Sequence, residues 1–286
     1  MLLTLRTRNK TGVQVGIGEA MALGSAATWA VGVILARQLG VHLPPLALNL
    51  LKNGLVLAVL APVALVLHAG AWPSLPAEEL AIVVASGVIG NLYSPLVLLL
   101  GFLFLDERLG AGQWLGFALV GLGVLLVSRP PGEWRTHPQH TVRGVVIGLA
   151  AIALMAIAIV MVKRTLETQP LLWVTALRLA GAVAGLLGLA ALPAMRARMR
   201  FVASEVPWRR LLVAALLGQG LSMVLWLGGY KFTSASVAAI LNESASVFVV
   251  VLAALWLREP LGKRAFIGVV LTFSGIACIL LGRAMP

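Results

Sequence analysis

Leu-Asp-Glu-Arg-Leu-Gly at residues 105–110 returns as Leu-Arg-Glu-Pro-Leu-Gly at residues 257–262, 152 positions later. Each phrase opens an apolar run carrying glycines, and the same offset lays Gly116 on Gly268 and Gly123 on Gly275. A second offset, 126, lays Gly18 on Gly144, Arg37 on Lys163, Pro44 on Pro170 and Lys52 on Arg178. Ordered matches at two fixed offsets are hard to produce without duplication. The chain therefore divides into a first repeat over 18–128, a polar linker over 129–143 and a second repeat over 144–284.

Composition names the solvent of these repeats. Of 286 residues, 60% are hydrophobic and 11% charged, more apolar surface than a water-soluble fold of this size can hide. A bilayer core of ~30 Å takes about 20 apolar residues per helix, and such runs recur here with the charge collected between them. The pattern is that of an all-α polytopic membrane protein, since a membrane barrel would alternate apolar and polar residues over ~10-residue strands. Spans are predicted over Gly18–Leu39, Pro45–His68, Gly144–Leu166, Leu171–Pro193, Leu211–Phe232, Ser236–Leu257 and Phe266–Leu281. A continuous apolar stretch, Leu80–Leu105, and a shorter helix, Trp114–Val127, lie between the second of these and Arg129. The basic start, Met1–Gly12, runs into a full-length span, so no cleavable signal is expected.

The second repeat has five helices, and the first falls short of it. Gly87 to Glu107 covers 20 residues where Gly218 to Glu259 covers 41, so about one helix with its turn has no counterpart. As one helix, the 26 residues of Leu80–Leu105 reach ~39 Å, enough for one tilted span and too little for two. Nine spans are therefore predicted. Apart from Lys52 and Arg178, that count divides Lys and Arg 14 to 6 in favour of the N-terminal side, whereas ten spans divide them 12 to 8 against it. The positive-inside rule then favours nine spans and an inside N-terminus.

The net charge of +12 is spread over helix ends, where snorkelling and anionic headgroups account for it, and no nucleic-acid partner is expected. Cys278 is alone, and His42, His68, His137 and His140 share no helix at ligand spacing, so no metal and no cofactor are expected.

The doubled Leu-Asp-Glu-Arg-Leu-Gly phrase with its glycine-bearing helix, and Ser-Ala-Ala-Thr-Trp-Ala (25–30) in the first span, resemble the close and the opening of the EamA domain of the drug/metabolite transporter superfamily. The resemblance covers nearly the whole chain and implies ten helices in two inverted five-helix repeats around a central cavity. It also implies export of amino acids or related metabolites, with YddG-type aromatic amino acid exporters the best-defined example, from a bacterial inner membrane. The shortened first repeat departs from that pattern.

Charges inside spans are costly, ~2.5–3.5 kcal/mol each on insertion scales, so each is a functional candidate. Lys52 and Arg178, seven and eight residues into their spans, either anchor an anion or snorkel to a helix end. Glu243, beside Asn242, Ser244 and Ser246, lies mid-span. It either carries a coupling proton, holds a substrate amino group, or pairs with Arg178 or Lys52. Trp29, Tyr93 and Trp226 are candidates to line a solute path, whereas Trp173 and Tyr230, near helix ends, are expected to anchor at the membrane interface. Asn49, Asn53, Asn91, Gln219 and Ser222 either bind solute or bond across helices. Gly116, Gly121, Gly123, Gly268 and Gly275 are read as close-packing positions, and Pro95 as a kink or helix start.

The expected function is a secondary transporter exporting small solutes by alternating access, partnered by lipid and solute and working as a monomer. An organic-anion or phosphate-ester exchanger built on Lys52 and Arg178, and a non-transporting scaffold, are the alternatives. An intramembrane enzyme would need a nucleophile with its base, paired acids or a metal set, and the spans offer none at suitable spacing.

Overall fold

The computed structural model describes residues 16–68, 80, 83, 110–128, 159, 160, 162–258 and 260–282. Regular structure among them is entirely helical. The helices are α1 (Ile17–Leu39), α2 (Pro45–Leu67), α3 (Ala111–Ser128), α4 (Leu171–Ala191), the short α5 (Pro193–Ala197), α6 (Trp208–Phe232), α7 (Ala235–Glu243), α8 (Ala245–Trp256) and α9 (Lys263–Gly282). Residues 162–168 are also helical, whereas the rest of the span predicted from Gly144 lies outside the described residues, as do the linker 129–143 and nearly all of Leu80–Leu105. Six helices are long and apolar enough to cross a bilayer: α1, α2, α4, α6, α7 with α8 taken as one, and α9. Their outward faces carry Leu65, Val66, Leu187, Leu255, Phe266 and Val270 exposed. A fold apolar outside as well as inside is one whose solvent is hydrocarbon.

Four packed layers fix the direction of each helix. The start of α1 meets the end of α6, where a Cβ built on Gly18 would stand 2.6 Å from the Phe232 carbonyl carbon, and its end joins Leu211 through Leu35 and Leu39. Ala22 shares a cluster with Val237, Val120 and Ile279, which brings the starts of α1 and α7 and the end of α9 together with α3. Ala64 near the end of α2 packs on Trp173 near the start of α4. The near end of the bundle thus holds the starts of α1, α3, α4 and α7 and the finishes of α2, α6 and α9. A single crossing over Leu80–Leu105 would require α2 to finish and α3 to start at opposite ends, and they share one.

The α3–α9 crossing carries the repeat on its face. A Cβ on Gly116 would stand 2.7 Å from the Gly275 carbonyl oxygen, and one on Gly275 the same 2.7 Å from that of Gly116; Gly123 and Gly268 give 2.5 and 2.6 Å. Each glycine therefore packs on the repeat-mate of the other, which is the contact pattern of a local two-fold axis. Backbones this close exclude any side chain and favour Cα–H···O contacts. Gly121 meets nothing within 4 Å, so it does not belong to this seam.

With α3 starting at the near end, basic residues outside the spans gather at the far end. Arg196, Arg198, Arg200, Arg209 and Arg210 lie between α4 and α6, Arg258, Lys263 and Arg264 between α8 and α9, and Arg37 closes α1. The near end has Lys163, Arg164 and Lys231 among the described residues. This corrects the expected inside N-terminus, because the rule that favoured it now favours the far end as the inside face.

Candidate functional site

Two spans depart from α-helical geometry at mid-depth. In α6 the stretch Ala214–Leu221 winds as a π-helix, with Gly218, Gln219 and Gly220 in it, and π segments widen the turn where a helix serves a function. A Cβ on Gly218 would strike Gly32 of α1, so the widened turn is pressed against its neighbour. The second departure parts α7 from α8 at Ser244. Its Oγ donates to the Leu241 carbonyl at 2.6 Å, and its N–H reaches the same oxygen at 3.2 Å. Local hydroxyl bonding of this kind competes with the helical ladder. Glu243, predicted inside a continuous span, is instead the last residue of α7.

Around these breaks the buried polar side chains form a belt. Val56, Leu179 and Ala215 make an apolar layer between α2, α4 and α6, and Gly220 also meets Val56. Lys52, 8% exposed, is one turn from Val56 toward the far end, and Arg178, 2% exposed, lies next to Leu179 toward the near end. The repeat-mates thus bracket the layer from opposite sides. Their burial excludes the snorkelling reading. The Arg178 guanidinium carbon sits 5.2 Å from the centroid of the Trp226 ring, which meets Tyr230 edge-on at 5.2 Å. Stacking of this type orients the guanidinium plane and is worth ~2 kcal/mol when desolvated.

Helical period adds Asn242 to this level. Val174, Ala238 and Ala239 share one core cluster, and Arg178 and Asn242 each stand one turn beyond that cluster on the same faces. Both carboxamide atoms of Asn242 are buried with no hydrogen-bond partner, as is the Oδ1 of Asn53. Ser222 donates to the Ser25 carbonyl at 3.2 Å, so it bonds α6 to α1. Gln219 is buried in the π segment, and Trp29, half-buried, lies on α1 between the contacts at Ser25 and Gly32. Asn49 is exposed near the start of α2 and stands apart from the belt. Tyr93, Asn91 and Pro95 lie outside the described residues. No cluster of metal-ligating side chains occurs among the described residues.

Known proteins fit this arrangement. Residues 142–281 match the EamA-like transporter family. The EamA-like domain thus contains α4 through α8 and nearly all of α9, with Arg178, Gln219, Trp226, Asn242 and Glu243. Among curated proteins nothing matches. A solved crystal structure of a protein superposes with a TM-score of 0.76 over 94% of this chain and 97% of its own, at 18% identity, which is a likeness of fold.

Trp173 and Tyr230 in the EamA-like domain correct the sequence reading: both are buried in the bundle, at 5% and 0% exposure, and neither anchors at the interface. Sequence reasoning also passed over a polar knot at the near end. Glu19, 1% exposed, accepts from Thr233 Oγ1 at 2.7 Å. Lys163 Nζ donates to the carbonyls of Tyr230 and Thr233, each at 3.0 Å, and pairs with Glu167 at 3.1 Å. Lys231 Nζ donates to the carbonyls of Leu166 and Gln169. An acid in a first helical turn is ordinary dipole chemistry, so Glu19 gave no signal; the signal was Lys163, two residues before the predicted end of an apolar span. Lys163→Met is expected to leave two buried carbonyls short of a donor and cost about 2–4 kcal/mol, checked by thermal melting in detergent. Arg164→Gln, exposed beside it, should melt with the wild type.

Proposed function

We propose that this chain is a secondary exporter of small solutes, with amino acids the favoured class, aromatic ones included. It acts by alternating access between two inverted repeats in a bacterial plasma membrane, without covalent chemistry. The observation that carries the reading is the overlap of the EamA-like domain with a buried polar belt at two interrupted spans. Interrupted spans free backbone and side-chain polar groups at mid-membrane, where a solute stripped of water needs them.

In this reading Arg178, its plane held by Trp226, receives the solute carboxylate, and Asn242 supplies neutral hydrogen bonds. Glu243 holds the ammonium group or the exchanged proton, and Trp226 contributes an aromatic face. Antiparallel repeat-mates let one half rock against the other, opening each end in turn. A second reading, organic-anion or phosphate-ester exchange, is favoured by the burial of both Lys52 and Arg178.

Counterflow in proteoliposomes tests both. Labelled phenylalanine or alanine should exchange in the wild type, and Arg178→Ala should cut that exchange by about tenfold or more, the value of one hydrogen-bonded charge. Exchange of a phosphate ester lost in Arg178→Ala and Lys52→Ala, with no amino acid flux, would replace the first reading with the second. Absence of flux for either class would leave a scaffold.

A further inference from the structure

The connection between α4 and α6 crowds Arg196, Arg198, Arg200, Arg209 and Arg210 onto the far end, all exposed. None of the five makes an ion pair or a side-chain hydrogen bond. Their situation is the reverse of that of Lys163 and Lys231, whose ammonium groups are taken up by carbonyls inside the fold. The connection holds one acid, Glu205. It also exposes large apolar side chains between its cations: Leu192 at 53%, Val202 at 55%, Trp208 at 47% and Phe201 at 37%.

This segment is an ordered strap. Val206, 5% exposed, is driven into the cluster of Leu39, Leu43 and Leu211. Trp208 Nε1 donates to the Ala203 carbonyl at 3.1 Å, tying the strap to the first turn of α6. Because α4 and α6 are both spans, a strap joining their ends lies at the depth of lipid headgroups.

We propose that the strap is a binding site for anionic phospholipid in the leaflet at the far end. The arginines take headgroup phosphate oxygens, to which guanidinium is matched in geometry, while Phe201, Val202 and Trp208 enter the acyl boundary. A free phosphate would satisfy the arginines and leave those apolar side chains in water, so the alternation of the two kinds selects a lipid. Near a charged membrane surface each basic residue adds severalfold to affinity, and five on one short connection hold lipid through delipidation.

The test uses the purified full-length protein in neutral detergent micelles, with retained lipid counted by native mass spectrometry. Phosphatidylglycerol should be held in preference to phosphatidylcholine, should be weakened by salt, and should not be displaced by inorganic phosphate at equal concentration. In the variant with Arg196, Arg198, Arg200, Arg209 and Arg210 all changed to Gln, phosphatidylglycerol affinity should fall by at least about tenfold. Arg164→Gln, at the other end, should bind as the wild type does. Should the fivefold variant not insert, Arg196→Gln with Arg198→Gln is expected to show a loss of about threefold or more. Undiminished phosphatidylglycerol binding in the arginine variants overturns the site. So does equal retention of phosphatidylcholine, or full displacement by inorganic phosphate. Lipid retention is read without solute flux, so it stands or falls apart from the transport reading.

Discussion

Gly275→Leu is expected to prevent assembly of the bundle. A Cβ at this position would meet the Gly116 carbonyl oxygen at 2.7 Å and the Val120 backbone nitrogen at 2.8 Å. Both are backbone atoms of a helix, which cannot turn aside as a side chain can, so α3 and α9 must part along their length. Overpacking costs ~1–3 kcal/mol where neighbours yield, and this contact denies even that relief, so a loss above about 3 kcal/mol is expected. Yield from membranes and melting in detergent measure it. Gly121→Ala is the control, because nothing lies within 4 Å of its Cβ, and a helical Gly→Ala change there should gain roughly 0.5–1 kcal/mol. If Gly123→Leu and Gly268→Leu fail together with Gly275→Leu while Gly121→Ala melts higher, the two-fold seam is the determinant. Equal tolerance at all four positions would dismiss it.

Glu243→Gln should leave the fold intact and stop solute exchange. The carboxylate ends α7 one residue before the Ser244 break, and its amide analogue keeps shape and hydrogen-bonding capacity while losing charge. A hydrogen bond to a charged group is worth ~1.5–3 kcal/mol, so exchange should fall by roughly 10- to 100-fold with melting unchanged. Gln219→Ala, in the π segment, should retain most of the flux. Flux preserved in Glu243→Gln would remove the acid from the transport path.

Much of the fold was legible because hydropathy and repeat spacing report the same thing twice. The span read as Pro45–His68 is Pro45–Leu67, and that read as Leu171–Pro193 is Leu171–Ala191, each bounded by proline at its start. The glycine matches at the 152 offset became the α3–α9 seam, because only a residue without a side chain allows that approach. The breaks were not legible. Gly218 and Gly220 read as ordinary packing glycines, and nothing in residue order separates a π turn from an α turn. Ser244 read as one polar residue in a row of them, although its hydroxyl bond to Leu241 is what divides the span. Loop charge misled on orientation because it was counted along an assumed number of crossings, whereas packing of Ala22, Val120 and Ile279 sets the direction of α3 directly.

At the site, Lys52 and Arg178 were found by their cost in a span, and that argument survived because both are buried. Asn242 entered as a neighbour of Glu243 and proved to be the side chain with both polar atoms unmet. Asn49 was named on residue type alone, and helical phase turns it outward.

The opposed direction of the two halves is the claim on which the rest depends, and sidedness measures it. His42, after α1, and Thr168, before α4, are repeat-mates at the 126 offset, and both are exposed. With Cys278 replaced by Ser, His42→Cys and Thr168→Cys should react with a membrane-impermeant maleimide from opposite faces of the bilayer. Labelling of both from one face would mean that the halves run the same way, and the inverted bundle would be lost.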